Sequence, residues 1–199
     1  MSRLRLDTGI ATRPIPSELS QACGDIGLVR LTGSGLFAAM IDGLGHGPLA
    51  QAVASEARDY LIQCDPDSTL DSIMSSLRQQ LRGGRGCVAA LCRVDALEGC
   101  FEFCGLGNIT TRIVGTSFKT FVPQDGIIGQ VAPAPIVQRQ LLAADSVVVM
   151  HSDGISSHIG NVGLERLLQG DPQLAAERLV ETFGRDSDDA GCVVIRIKA

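Results

Sequence analysis

The chain has 199 residues, 45% hydrophobic and 20% charged, with 17 basic against 22 acidic side chains and a formal charge of −5, which predicts one soluble domain, residues 1–199, able to bury a core. Its longest uncharged stretches, residues 43–55 and 126–138, run 13 positions, short of the roughly 18 that a membrane-spanning helix needs. Only two lysines in an acidic chain exclude the clustered positive surface that a nucleic-acid backbone demands, and the opening Met1-Ser-Arg-Leu-Arg-Leu-Asp7, with its early acid, is not a secretory signal, so a cytoplasmic location is expected.

Taken in chain order, Gly35-Leu-Phe-Ala-Ala-Met-Ile-Asp42 is apolar at both alternating positions and predicts a central strand covered on two sides. Pro48 opens a helix whose Leu49, Val53, Ala57, Tyr60, Leu61 and Cys64 recur at helical spacing. Ser68 and Asp71 resemble a capping box ahead of the stripe Leu70, Ile73, Met74, Leu77 and Leu81, which ends at Gly83. Period-two runs at 87–94, 100–104, 108–114 and 117–122 with short connections predict an antiparallel meander. Residues 136–142 and 146–151 predict a further strand pair, Asp171-Pro172 a helix running to Gly184, and residues 192–197 a closing strand. Two helices, many strands, two more helical segments and a last strand predict an α+β fold: a four-layer αββα sandwich of two mainly antiparallel sheets flanked by antiparallel helices.

The seven cysteines contain no C-x-x-C pair and lie mostly in apolar runs, the pattern of reduced core thiols rather than of disulfides or zinc. Three acidic places stand out because each abuts an apolar strand: Asp42-Gly43, Asp153-Gly154 and Asp188-Asp189. Carboxylates at strand ends project beyond the sheet, and an oxygen-rich donor set suits magnesium or manganese. An Asp-Gly dipeptide alone is ordinarily a turn. Asp42-Gly-Leu-Gly-His-Gly47 exceeds what a turn needs, and its alternating glycines suggest backbone held tightly against a bound group. A P-loop, a Rossmann fingerprint and a nucleophile elbow are all absent.

In chain order, Gly24-Asp25, Ile41-Asp-Gly-Leu-Gly-His-Gly47, Arg85-Gly-Cys-Val-Ala89, Gly105-Leu-Gly-Asn108, Gly126-Ile-Ile-Gly129, Ser152-Asp-Gly154 and Asp188-Asp-Ala-Gly-Cys-Val-Val194 resemble the metal-dependent protein phosphatases of the type 2C-like class, in particular their SpoIIE branch. The resemblance runs from about residue 20 to the end, and a domain without a sensory module is similar to the branch's stressosome feedback phosphatases. It implies two Mn2+ or Mg2+ ions held by Asp42, the Gly43 carbonyl, Asp153 and Asp188, with Asp25 acting through a metal-bound water and Asp189 in support. It places Asp42, Asp153 and His46 at the catalytic centre. His46 would protonate the leaving alkoxide, organise water, or only cap its loop, whereas His151 and His158 read as structural. Gly191 stands where the family carries threonine, and no ligand for a third metal can be aligned. The implied reaction is hydrolysis of phosphoserine or phosphothreonine by a water activated between two metals, without a phosphoenzyme. The implied partners are phosphorylated STAS-domain proteins of a stressosome, met by a monomer with no nucleic acid or membrane involved. Two alternatives remain at this stage: a catalytically silent phosphoprotein-binding module, and a two-metal phosphoesterase acting on a small molecule.

Overall fold

The structure is a computed structural model that describes residues 3–17, 20–116, 118–156 and 161–199. His158 lies outside the described residues, as does residue 117, where the fourth run of the expected meander begins. The strands β1 (Arg5–Arg13), β2 (Asp25–Leu31) and β3 (Gly35–Gly43) precede helices α1 (Gly47–Gln63) and α2 (Leu70–Gln80). They are followed by β4 (Cys87–Asp95), β5 (Cys100–Leu106), β6 (Thr110–Val114), β7 (Lys119–Phe121), β8 (Gln138–Leu141) and β9 (Val147–His151). Helices α3 (Asn161–Leu167) and α4 (Pro172–Phe183) and the strand β10 (Ala190–Lys198) complete the chain.

Two five-stranded sheets, ordered β2-β3-β4-β5-β8 and β1-β10-β9-β6-β7, lie face to face, and every pairing between these strands is antiparallel. The period of two along β3 shows why it is apolar throughout. Phe37, Ala39 and Ile41 pack under α1 and α2, while Leu36, Ala38 and Met40 fill the space between the sheets. In β10, Cys192 and Val194 face α3 and α4, and Val193, Ile195 and Ile197 face the opposite sheet. The expected αββα layering is thus present. All seven cysteines are free thiols, and burial pushes those of Cys87, Cys92, Cys104 and Cys192 up to about 12. Among the described residues no helix is long and apolar enough to cross a membrane.

Three local expectations are corrected. The meander is split: β4 and β5 form a hairpin in one sheet, but β6 and β7 belong to the other. The chain crosses because Ile109 is buried in the inter-sheet core and the preceding turn is pinned by Gly107 N–H on the Gln124 carbonyl at 2.8 Å. Strands β8 and β9 are likewise not a pair. Leu142 N–H donates to the Gly99 carbonyl at 2.8 Å, holding β8 against β5, and Asp145, with φ of 63°, turns the chain into the other sheet. The α2 cap falls one residue later, at Thr69; the Ser68 hydroxyl donates to Asp65 instead, at 3.3 Å. Asp171 caps α4 as expected, accepting from Gln173 N–H at 2.9 Å and Leu174 N–H at 3.1 Å.

Candidate active site

Alternation along β3 decides where Asp42 goes. It follows Leu36, Ala38 and Met40 on the face turned to the other sheet, so it stands at the mouth of the inter-sheet core. Asp25 of β2 pairs directly opposite it, which sets two carboxylates on one face of neighbouring strands, an arrangement that disfavours both charges. From the facing sheet, β9 runs through Met150 on the same inter-sheet side to Ser152 and then Asp153. Asp188 precedes β10. Asp42, Asp153 and Asp188, from three separate segments of the chain, line one cleft of about 310 Å³ together with Leu44, His46 and Asn108.

Each carboxylate has its own support. Asn108, delivered by the crossing between the sheets, donates its amide to Asp153 Oδ2 at 2.8 Å, and Asp188 Oδ1 accepts the Asp189 N–H at 2.9 Å. Asp25, only 3% exposed, accepts the Ser152 hydroxyl, which in turn accepts Gly191 N–H at 3.1 Å. Asp189 is buried and spends both oxygens on main chain, accepting from Ile15 N–H at 3.1 Å and Gly24 N–H at 2.7 Å. It ties the segments before β2 and β10 together. Gly191 has no space for the threonine of relatives: a Cβ there would lie 2.5 Å from Met40 Cε and 3.0 Å from Asp25 Cβ. The Ser152 hydroxyl occupies the contact to Asp25.

The loop after β3 shows where its glycines are needed. A Cβ on Gly43 would meet the Ala50 carbonyl oxygen of α1 at 2.2 Å, and Gly45 and Gly47 have φ of 85° and 72°. The tight approach inferred from the sequence is therefore to α1. His46 is exposed on the cleft rim as the residue preceding α1. His151 is structural: buried in β9, its Nδ1 lies 2.8 Å from the Ser152 carbonyl oxygen, and burial holds the ring below its usual pKa.

The negative charge of the cleft is under-compensated. Burial, then the charges of Asp153, Asp188 and Asp189, push Asp42 up to about 7; burial and then Asp42 raise Asp25 well above the carboxylate range; burial and then Asp153 raise Asp188. Carboxylates crowded in this way fit a divalent cation, and an all-oxygen donor set of Asp42, Asp153 and Asp188 with the nearby Gly43 carbonyl fits magnesium or manganese. Among the described residues no group of three acidic, His or Cys side chains stands close enough together to hold an ion alone, so main chain and water would have to complete the shell of any cation there.

These raised values set a pH dependence. A carboxylate whose folded pKa lies above its unfolded value stabilises the fold fully below the unfolded value of 3.8 and loses that contribution as pH rises to about 7. In metal-free protein the melting temperature is therefore expected to fall between pH 5 and pH 8 through this cluster. The Asp42→Asn variant, measured by scanning calorimetry over the same range, should show a flatter slope. At pH 8, magnesium or manganese at 100-fold over Kd adds about 2.7 kcal/mol, a rise of roughly 5–10 °C for a chain of this size. No response to either ion would remove the cation site.

The Asn108 contact, the Ser152 hydroxyl and the clasp of Leu44 described below were not assigned roles from sequence. Asn108 and Ser152 stand inside quoted motifs, but their partners are fixed only when the two sheets meet.

Comparison with known proteins places the chain in a family. The profile of the stage II sporulation protein E (SpoIIE) family matches residues 32–198. The chain is 26% identical over 142 residues, 70% of each chain, to the phosphoserine phosphatase RsbX of Bacillus subtilis (strain 168). It superposes with a TM-score of 0.88 and 31% identity on a chain solved in a study of the bacterial stressosome as a modular system adapted to control secondary messenger signalling, covering 96% of this chain and 100% of that one. The crystal structure of RsbX with magnesium shares the fold, with a TM-score of 0.82 at 18% identity and 100% of both chains covered.

Proposed function

Because this chain belongs to the SpoIIE family, it is a serine/threonine protein phosphatase of the type 2C-like class, and we propose that it uses Mn2+ or Mg2+ and that its substrates are phosphorylated STAS-domain proteins of a stressosome. The likeness to RsbX and to the chain from the stressosome study supports that substrate class. The observation that carries the reading is the meeting of Asp42, Asp153 and Asp188 in one cleft from three distant parts of the chain. We place two ions on Asp42, the Gly43 carbonyl, Asp153 and Asp188, with Asp25 acting behind Asp42. The protein acts in the cytoplasm as a monomer.

When bound, two such ions supply water activation and neutralise the nearly two negative charges of a phosphoserine or phosphothreonine ester. The chain's own groups supply the rest. The Asn108 amide fixes Asp153 by one oxygen and leaves Oδ1 for the cleft, and the Ser152 hydroxyl holds Asp25 on the Asp42 side. His46, on the open rim, donates a proton to the leaving seryl or threonyl oxygen as a general acid. Phosphate release from a phosphorylated STAS-domain protein, with and without manganese, tests the proposal. Turnover that persists after chelation would overturn the metal mechanism, and turnover of aryl phosphate but not of the phosphoprotein would overturn the protein substrate.

A further inference from the structure

The motifs at residues 85–89 and 126–129 take no part in the chemistry above, yet both close on the loop that carries Asp42. Leu44 is held at both of its main-chain polar groups: its N–H donates to the Gly86 carbonyl at 3.2 Å, and its carbonyl accepts Arg85 Nη1 at 3.0 Å. The guanidinium also covers the next residue, since a Cβ on Gly45 would lie 3.1 Å from Arg85 Nη1. Behind it, the Gln130 side-chain amide donates to the Arg85 carbonyl at 2.8 Å. Gln130 belongs to a turn closed by its own N–H on the Ile127 carbonyl at 3.1 Å. That turn is anchored to β4 by Ile128, fully buried, whose N–H donates to the Cys87 carbonyl at 2.8 Å and whose carbonyl accepts Cys87 N–H at 3.2 Å. A continuous series of bonds thus joins the core at Ile128 to Leu44 at the cleft.

We propose that Arg85 is a positioning residue for the metal-holding loop: by gripping the Leu44 carbonyl it sets the direction in which Asp42 and the Gly43 carbonyl face the cleft, and Gln130 seats Arg85. The inference rests on Asp42 and Gly43 holding the cation. Arg85 and Gln130 are exposed, so core packing does not explain their placement, and among the described residues Arg85 makes its side-chain hydrogen bond to Leu44 alone. An exposed arginine adds little to global stability, whereas groups that orient the ligands of a metal shift its affinity about 10–100-fold.

Calorimetric titration of manganese into the full metal-free chain, paired with the melting temperature of each metal-free variant, tests this. Arg85→Ala is expected to weaken manganese binding about tenfold while its metal-free melting temperature stays within about 2 °C of wild type. Arg85→Lys, which keeps a donor for Leu44, should recover part of the loss, and Gln130→Ala should fall between. Manganese affinity of Arg85→Ala within about twofold of wild type overturns the proposal; if the KM for a phosphopeptide then rises with kcat held, the guanidinium contacts substrate instead. A fall of the metal-free melting temperature by more than about 5 °C also overturns it, in favour of a structural role. Wild-type protein that binds no manganese would overturn the cation site itself, an outcome distinct from equal binding by both proteins.

Discussion

Asp42→Asn is expected to lower kcat on a phosphopeptide by at least about 10²–10³-fold, the cost of removing one group that holds charge-stabilising machinery in place, while leaving the fold intact. Asparagine is nearly isosteric, so the place opposite Asp25 stays filled. What disappears is a half-buried charge facing Asp153, Asp188 and Asp189. The metal-free variant should therefore melt higher than wild type, by roughly 2–4 °C if about 1 kcal/mol of like-charge repulsion is relieved. Added manganese should raise its melting temperature less than it raises that of wild type. Activity falling as stability rises is the signature of a residue retained for chemistry. A variant with more than about a tenth of wild-type kcat would place Asp42 outside the machinery.

Gly154→Ala is expected to be the most damaging single methyl group at the site. A Cβ there would lie 1.7 Å from the Asp189 carbonyl oxygen and 2.8 Å from its carbon, both main chain, so no rotamer can relieve the clash. Gly154 is also tied to the next segment, its carbonyl accepting Arg185 N–H at 2.7 Å. The strand start at residues 188–190 must retreat from Asp153, with an overpacking cost of about 1–3 kcal/mol or more. Chemical denaturation should show that loss, and manganese affinity should fall with it because Asp188 moves away from Asp153. Unchanged stability would mean that the two segments are further apart than described. The Ser-Asp-Gly motif thus requires glycine so that the segments flanking the neighbouring strands β9 and β10 can approach closely, a reason separate from any turn.

The core strands and the site carboxylates were legible in the sequence because their signals are local. Residues 35–42 are apolar in both registers, Asp171-Pro172 marks a helix start by itself, and Asp42, Asp153 and Asp188 each stand at the end of such a run. Strands β1 and β2 were not legible. Both are edge strands of mixed burial, with Asp7 and Thr8 in one and Gly27 and Arg30 in the other, so period two is blurred. Sheet membership was illegible for a different reason. Short connections between 100–104 and 108–114 favour a hairpin on local grounds, but burying Ile109 between the sheets is a long-range effect that no window of neighbouring residues contains. The same long-range effect delivers Asn108 to Asp153.

The first and last strands are partners, with Arg5 opposite Lys198 and Arg13 opposite Ala190. Asp188 and Asp189 lead directly into β10, so the carboxylate set stays incomplete until β10 has threaded between β1 and β9. Pairings of such long sequence separation are slow to form. A chain in which β10 has not yet docked would lack a working centre, which makes turnover a report on whether this long-range pairing has formed.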